Sequence, residues 1–444
     1  MRFKNRKKHV SSFQIIILGF LAVILAGAFL LMLPVSSANG ISTPFSDALF
    51  TSTSAVCVTG LVIHDTAVYW SSFGQTVLLL LIQIGGMGVV TAAVSLTIFS
   101  GRKISLMQRS TMQNAISAPH IGGIVRMTSF ILTVTLLIEL VGAALLTAAF
   151  CPEFGITTGL KYALFHSISA FCNAGFDLMG KNEEFSSLTS YADNPLINFT
   201  IMGLIITGGI GFITWDDFYR HKWHFKRYRM QSKVILVTTG FLILAPAIYF
   251  FFCEFTDMPA AERIYTSLFQ SVAPRTAGFN TTDLALLTET GKMMIIILMV
   301  IGGSPGSTAG GIKTTTFAVL LSSALSVFHR RNQTRFFGRR VPEGTERNAA
   351  TVLLMYLVLM ITGAMIISSV ENLPILTTLF ETCSAIGTVG LSLGITPNLG
   401  QLSRAILIIL MFVGRVGGLT LVFAAFSKPA ANTSKYPREK ITAG

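Results

Sequence analysis

Four stretches of this 444-residue chain could bind a cation through main-chain oxygens alone: ALFTSTSAVCVTGL (48–61), ALFHSISAFCNAGF (163–176), SLFQSVAPRTAGF (267–279) and TLFETCSAIGTVGL (378–391). They are altered copies of one pattern. The Phe precedes the Gly by ten residues in three copies (Phe50/Gly60, Phe165/Gly175, Phe380/Gly390) and by nine in the other (Phe269/Gly278). Each copy predicts a short helix that ends in a glycine-bearing segment, where glycine permits a backbone conformation that a side chain disfavours. Such segments offer carbonyl oxygens, and four around an axis would replace the hydration shell of a monovalent cation. The negative dipole ends of the four helices would point the same way. The candidate carbonyl ligands are those of Cys57, Val58, Thr59 and Gly60, of Cys172, Asn173, Ala174 and Gly175, of Arg275, Thr276, Ala277 and Gly278, and of Gly387, Thr388, Val389 and Gly390.

Other residues invite competing chemistry. Gly302-Gly303-Ser304-Pro305-Gly306 matches the G-x-S-x-G pattern of a serine hydrolase, and His166 could be its base. The hydrolase elbow needs a strand-to-helix turn that an apolar setting does not supply. Gly306 to Lys313 approaches a phosphate-binding loop, but Ile312 separates Gly311 from Lys313 and the spacing fails. The run from Gly302 through Ser307, Thr308, Ala309, Gly310 and Gly311 to Lys313 has five glycines and a proline in twelve residues, which no ordinary helix tolerates. Irregular backbone at membrane depth is expected where it lines a cavity, so 302–313 reads as a loop in a conduction path. Arg415 and Glu139 are charges inside apolar runs, and interior positions are expected for both. Arg275 would repel a cation if it faced the axis, so it is expected to point away and pair with an acid, Glu381 being one candidate.

These elements must be positioned by a membrane-embedded frame. The chain is 52% hydrophobic and 12% charged, too few charges to cover a soluble protein of this length. Apolar runs at 13–35, 74–99, 124–150, 196–213, 234–252, 293–328 (interrupted), 349–370 and 405–426 are each long enough to cross a bilayer, which takes about 20 helical residues. The first run is longer than a signal-peptide core and reads as a span. Tracts 1–12, 100–127, 216–233, 327–348 and 427–444 hold 25 of the 33 Lys and Arg and 5 of the 20 Asp and Glu. Bases concentrated there place both termini and all linkers in the cytoplasm. The net charge of +13 therefore points to membrane topology and not to nucleic acid. Even the mixed aromatic and basic tract 221–229 reads as an interfacial anchor. Five scattered cysteines imply neither a disulfide framework nor a zinc site.

The glycines lie 115, 103 and 112 residues apart, so the chain divides into four units: 13–100, 123–220, 232–330 with the loop 302–313, and 349–428, followed by a tail at 429–444. The expected fold is an all-α integral membrane protein, eight transmembrane helices forming four helix–pore loop–helix repeats around one pore. Each repeat begins after a basic stretch and so has the same orientation, which favours an axial pore over a cation-coupled secondary transporter, the alternative with midplane sites on broken helices.

Val-Thr-Gly, Asn-Ala-Gly-Phe, Pro-Arg-Thr-Ala-Gly-Phe-Asn and Gly-Thr-Val-Gly-Leu, taken in order, resemble the four filter loops of the Trk/Ktr/HKT superfamily of potassium transporters. The resemblance covers nearly the whole chain and is nearest to the bacterial Ktr membrane subunit. It implies potassium uptake through a bacterial plasma membrane, with glycine at all four filter positions going with potassium preference. It implies no cofactor in this chain, a homodimer with one pore per protomer, and possible sodium dependence. A cytosolic nucleotide-binding ring of RCK type would dock below, with ATP/ADP or c-di-AMP on that partner only. The loop 302–313 resembles the family's intramembrane gate, and Arg415 its partner in closing the path. Cys57 departs from the family, which usually shows Thr there, so a hydroxyl contribution is lost.

Overall fold

The computed structural model describes residues 11–100, 104–115, 123–181, 183–331, 333–418 and 420. Arg2, Lys4, Arg6, Lys7, Lys8, Arg102, Lys103 and the tail 429–444, all expected in the cytoplasm, lie outside the described residues. The chain is predominantly helical. Its principal helices are α1 (Ser12–Met32), α2 (Phe45–Val56), α3 (Ser72–Met87), α4 (Val89–Phe99), α5 (Ile124–Phe154), α6 (Ile156–Phe171), α7 (Pro195–Ile210), α8 (Phe212–His221), α9 (Met230–Tyr249), α10 (Ala260–Val272), α11 (Glu289–Val300), α12 (Thr314–Phe328), α13 (Thr345–Glu371), α14 (Ile375–Gly387) and α15 (Gln401–Val416). Among the described residues the one sheet is a hairpin, β1 (Arg335–Phe336) with β2 (Arg339–Arg340).

Local sequence accounts for the helix ends. Ser11 and Gln14 form a reciprocal capping box at the start of α1, which satisfies two backbone donors that have no partner within the helix. Pro44, Pro259 and Pro374 stand directly before α2, α10 and α14, and Asn194 with Pro195 opens α7. The Phe that recurs in every copy of the pattern is a core residue, with Phe50, Phe165, Phe269 and Phe380 all at most 2% exposed. Burying a Phe side chain contributes about 1.5–3 kcal/mol.

Among the described residues four helices are long and apolar enough to cross a membrane: Ser12–Met32, Ile124–Phe154, Met230–Glu254 and Thr345–Glu371. Two bent pairs raise the number to six. The runs 74–99 and 196–213, expected as continuous spans, are in fact broken. α3 and α4 meet at 96°, and α7 and α8 at 95°. The hinges are Gly88 and Gly211, whose φ of 85° and 96° no helix accommodates, and α15 ends the same way at Gly417 with φ 87°. Each lies three residues after a glycine that packs against a short helix (Gly85, Gly208 and Gly414), so in the first two clusters one run of glycines supplies both a close approach and a hinge.

The short helices dock on the long ones through small residues. Ser52 on α2 donates its hydroxyl to the Ile24 carbonyl of α1 at 2.7 Å, beside Gly27. Ser167 on α6 repeats the contact with the Glu139 carbonyl of α5 at 2.6 Å, beside Gly142.

Candidate functional site

The four glycine-bearing segments follow α2, α6, α10 and α14, and each turns through two left-handed residues. Val58, Asn173, Thr276 and Thr388 have φ of 56°, 59°, 72° and 52°, and two residues later Gly60, Gly175, Gly278 and Gly390 have φ of 92°, 68°, 79° and 92°. Alternating hands along a backbone gathers N–H groups on one side and leaves carbonyls on the other. The hydrogen bonds show where the N–H groups go. Thr59, Ala174 and Val389 donate to the carbonyls of Ser54, Ser169 and Ser384, each at 2.8 Å, and Ala277 donates to Ala273 at 3.0 Å. Gly60 and Gly390 donate to the hydroxyls of Ser54 and Ser384 at 3.1 and 3.0 Å. The carbonyl oxygens at 58–60, 173–175, 276–278 and 388–390 accept no hydrogen bond from any described residue.

The segments also meet. A methyl group at Gly60 would lie 2.5 Å from the Ala174 oxygen and 3.1 Å from Gly175 Cα. At Gly175 it would lie 2.8 Å from Gly278 Cα, at Gly278 3.3 Å from Gly390 Cα, and at Gly390 2.9 Å from Gly60 Cα. The four glycines thus close a ring, with the unpaired carbonyls beside it. On one side is a cavity of about 560 Å³, lined by the four glycines and by Asp65, Asp177 and Asp283. Asp177 is half-buried there. Burial pushes its carboxyl up to about 7; the Met179 N–H it accepts favours the charged form and the nearby Asp65 opposes it.

A second cavity, about 310 Å³, is lined by Gly86, Gly88, Pro305, Ser307, Lys313 and Arg415. It sits where the helices that follow the ring segments pass beneath. Gly85, Gly208 and Gly414 touch the short helices so closely that a methyl would lie 2.1, 1.9 and 2.1 Å from the carbonyl oxygens of Val56, Phe171 and Ile386. The residue after each is Gly86, Gly209 or Arg415, so at this position only the last of the three carries a side chain, and Arg415 lines the cavity.

Loop 302–313 lines one side of it. Ser304 and Thr308 donate main-chain bonds to the carbonyls of Gly209 and Gly208 at 2.9 and 3.3 Å, and Phe212 donates to Gly306 at 2.8 Å. The Thr308 hydroxyl donates to the Phe171 carbonyl at 3.0 Å. Arg415 donates to the carbonyls of Thr308 and Gly85, and to that of Gly86 at 3.1 Å. Lys313 folds back to the carbonyls of Ala309 and Gly310 at 2.8 and 3.3 Å, so it closes the loop on itself.

Arg275 points away from the ring but does not pair with Glu381. Its Nη2 reaches Thr239 Oγ1 at 3.4 Å, and it makes no ion pair with a described residue. Glu381 is committed elsewhere, accepting from Ser392 and Thr396 hydroxyls and, at 3.0 Å, from the Leu393 N–H. His166 holds the same place in α6: its Nδ1–H meets the Tyr162 carbonyl at 2.7 Å, and its Nε2 accepts from the Leu178 N–H at 3.3 Å. Both side chains brace the chain three residues past the ring glycine, which a charge-pairing rule does not anticipate. Glu139 faces the interior as expected, with the neutral partners Gln83 (3.2 Å) and Cys172 (3.9 Å). Ser304 shares a hydrogen bond with Thr314 at 3.1 Å, and among the described residues no histidine bonds it. Ser54, Ser169 and Ser384 were not singled out by sequence reasoning. The signal was present, a serine six residues before the glycine in three copies.

A family profile described as TrkH, cation transport protein, matches residues 3–436. The chain belongs to the TrkH family. It is 38% identical over 452 residues to the potassium/sodium uptake protein NtpJ of Enterococcus hirae, covering 99% of both chains. It is 38% identical over 437 residues to the Ktr system potassium uptake protein B of Bacillus subtilis, covering 97% and 96%, and 33% identical over 455 residues to that organism's Ktr system protein D, covering 100% of both. The crystal structure of the potassium transporter TrkH from Vibrio parahaemolyticus shares the fold at TM-score 0.74 and 19% identity, over 95% of this chain and 86% of that one. Members of the TrkH family are transporters and not enzymes.

Proposed function

We propose that the chain is the pore-forming subunit of a potassium uptake system of Ktr type, with the ring of carbonyls as its selectivity filter. The observation that carries this reading is the closed ring of Gly60, Gly175, Gly278 and Gly390, each preceded by a left-handed residue and by carbonyls that no described donor satisfies. Potassium, shed of its water, takes those oxygens as ligands. It enters through the Asp-lined cavity, passes the ring, and meets loop 302–313 and Arg415, which together form the gate. The potassium uptake named for Ktr protein B supports the choice of ion, while NtpJ is named for potassium and sodium uptake.

In this reading the eight apolar runs are spans in four repeats, the hinges at Gly88 and Gly211 fold the inner halves of two return spans sideways, and loop 302–313 breaks a third. The basic linkers and termini face the cytoplasm of a bacterium. There a homodimer rests on an RCK-type ring whose nucleotide, and not this chain, carries the regulatory ligand. The word "system" in the names of the Ktr relatives agrees with a second component. Potassium and sodium flux into liposomes, for the wild type and a variant lacking 304–310, tests the reading. Potassium-preferring flux that rises on deletion is expected. No flux of either ion, even with the cytosolic ring added, would sink it.

A further inference from the structure

The aromatic and basic tract between α8 and α9 has no part in the transport path, yet it is built into a surface with a segment a hundred residues away. Trp223 is 87% exposed and meets Phe218 edge-on at 5.5 Å. Phe225 meets Phe337, at the tip of the β1–β2 hairpin, at 6.3 Å, and the Lys233 ammonium stands 5.9 Å from both rings. Phe337 and Gly338 both have positive φ, 46° and 76°, a tight hairpin turn that presents the Phe337 ring outward. Residues 218–233 and 334–341 contain nine Lys and Arg and no acid. Arg220 and Arg229 are neutralised by Asp216 and Asp217 at 2.7 to 3.4 Å. The other bases have no carboxylate partner among the described residues.

The surface sits at the end of α9, whose outward Val237, Phe241 and Leu244 are exposed as a lipid-facing stripe. Exposed Trp beside unpaired bases at the end of an apolar span has the composition of a membrane interface. Bases held there attract anionic headgroups, each adding to the affinity. We propose that this surface binds the phosphate headgroup of an anionic phospholipid of the cytoplasmic leaflet, and that occupancy biases loop 302–313.

The second half of the proposal rests on the gate reading, whereas the first does not. Two helices carry the coupling. α8 starts at the Phe212 N–H bonded to Gly306 of the loop, and α12 starts at Thr314, whose N–H bonds Gly303 at 3.1 Å. At about 1.5 Å per residue they span about 15 and 22 Å. α8 ends at the tract, and α12 ends just before the hairpin. A headgroup that grips both far ends constrains both near ends.

The test uses the full chain in phosphatidylcholine liposomes with a minority of brominated phosphatidylglycerol or brominated phosphatidylcholine, read by tryptophan emission. Trp70 is buried and Trp215 half-buried, so Trp223 dominates lipid quenching. Brominated phosphatidylglycerol should quench more than brominated phosphatidylcholine at equal fraction, with the excess absent in Trp223→Phe. R335Q/R339Q/R340Q should weaken the preference about tenfold, and K222Q/K226Q/R227Q, which leaves the hairpin intact, should weaken it likewise. Equal quenching by the two lipids, the outcome expected if the patch instead serves a cytosolic protein, overturns the site. An excess that survives in both triple variants also overturns it. In parallel, potassium flux of the wild type should change about twofold or more on adding phosphatidylglycerol, and that of the triple variants should not. Excess quenching without a flux response keeps the site and overturns the coupling. Absence of flux in every lipid is instead the failure of the transport reading.

Discussion

The guanidinium of Arg415 donates to the main-chain carbonyl of Thr308, joining the end of α15 to a loop 107 residues earlier in the chain. Its other terminal nitrogen reaches the carbonyls of Gly85 and Gly86. One charge therefore ties three elements together beneath the glycine ring, at the position where α3 and α7 carry Gly86 and Gly209. In the proposed reading, a cation leaving the ring would meet a positive charge and the loop that this charge holds in place.

Arg415→Gln should accordingly raise potassium flux about tenfold or more in liposomes without the cytosolic partner. The loss of repulsion between unit charges a few ångströms apart contributes on the order of 1–4 kcal/mol at dielectric values between those of water and a protein surface. Arg415→Lys keeps the charge but not the bridging fork, so it should fall between the two. A flux that drops in Arg415→Gln would assign the residue to folding.

At Gly390 a side chain would be driven to 2.1 Å from the Thr59 oxygen, and at Gly60 to 2.5 Å from the Ala174 oxygen. Gly60→Ser and Gly390→Ser also place a side chain where φ is 92°, at a cost of about 1–3 kcal/mol each. The carbonyls must shift to accommodate it, so both variants should lose potassium-over-sodium preference by about tenfold, measured as the ratio of ion fluxes. Gly203, with open space around it and no positive φ, serves as the control, and Gly203→Ser should leave the ratio unchanged.

Glu381 accepts three hydrogen bonds from the segment past Gly390, and Arg275 is not among the donors. Glu381→Ala strands a main-chain N–H and two hydroxyls, each worth about 1–3 kcal/mol if buried without a partner, so thermal stability in detergent should fall clearly. Arg275→Ala should act independently. A double-mutant cycle on unfolding should give a coupling under about 0.5 kcal/mol. A coupling well above about 1 kcal/mol would restore the ion pair expected from sequence.

The ring was legible in the sequence because a ten-residue spacing recurred with glycine in the same place, and loop 302–313 because its composition forbids a helix. The direction of Arg275 followed from electrostatics, but its partner did not. A buried acid can be satisfied by hydroxyls and an N–H from its own loop, as Glu381 is, and sequence shows charges more readily than hydrogen-bond donors. The hinges at Gly88 and Gly211 were hidden for a different reason. Hydropathy runs on past them, and three glycines within four residues also suit close packing between helices. The structure uses Gly85 and Gly208 for packing and the third glycine of each cluster for a bend. The serines that hold the ring from behind repeat as faithfully as the glycines, but serine is common in short helices and carries no conformational signature.

Asp177 lies two residues past Gly175, in the cavity on one side of the ring that the proposed reading makes the entry of the cation path, with its carboxyl raised to about 7 chiefly by burial. A raised carboxyl is neutral below that value and negative above it. At the mouth of a cation path the negative form attracts potassium, so apparent potassium affinity should improve as external pH rises from ~6 to ~8 and weaken as it falls. One charge a few ångströms from the entering ion, largely screened by water, is worth about 1 kcal/mol, so the change should be about three- to tenfold. Asp177→Asn fixes the neutral form. It should give a flat pH profile with the affinity of the wild type at the acid end, while Asp283→Asn should weaken affinity yet keep the step. The measurement is initial potassium uptake into liposomes as a function of external potassium at each pH, with internal pH clamped so that the cytoplasmic face is constant. A wild-type affinity that weakens as pH rises, or a step that persists in Asp177→Asn, would take Asp177 out of the ion's path and leave the carboxylates at Asp65 and Asp283 to account for the attraction.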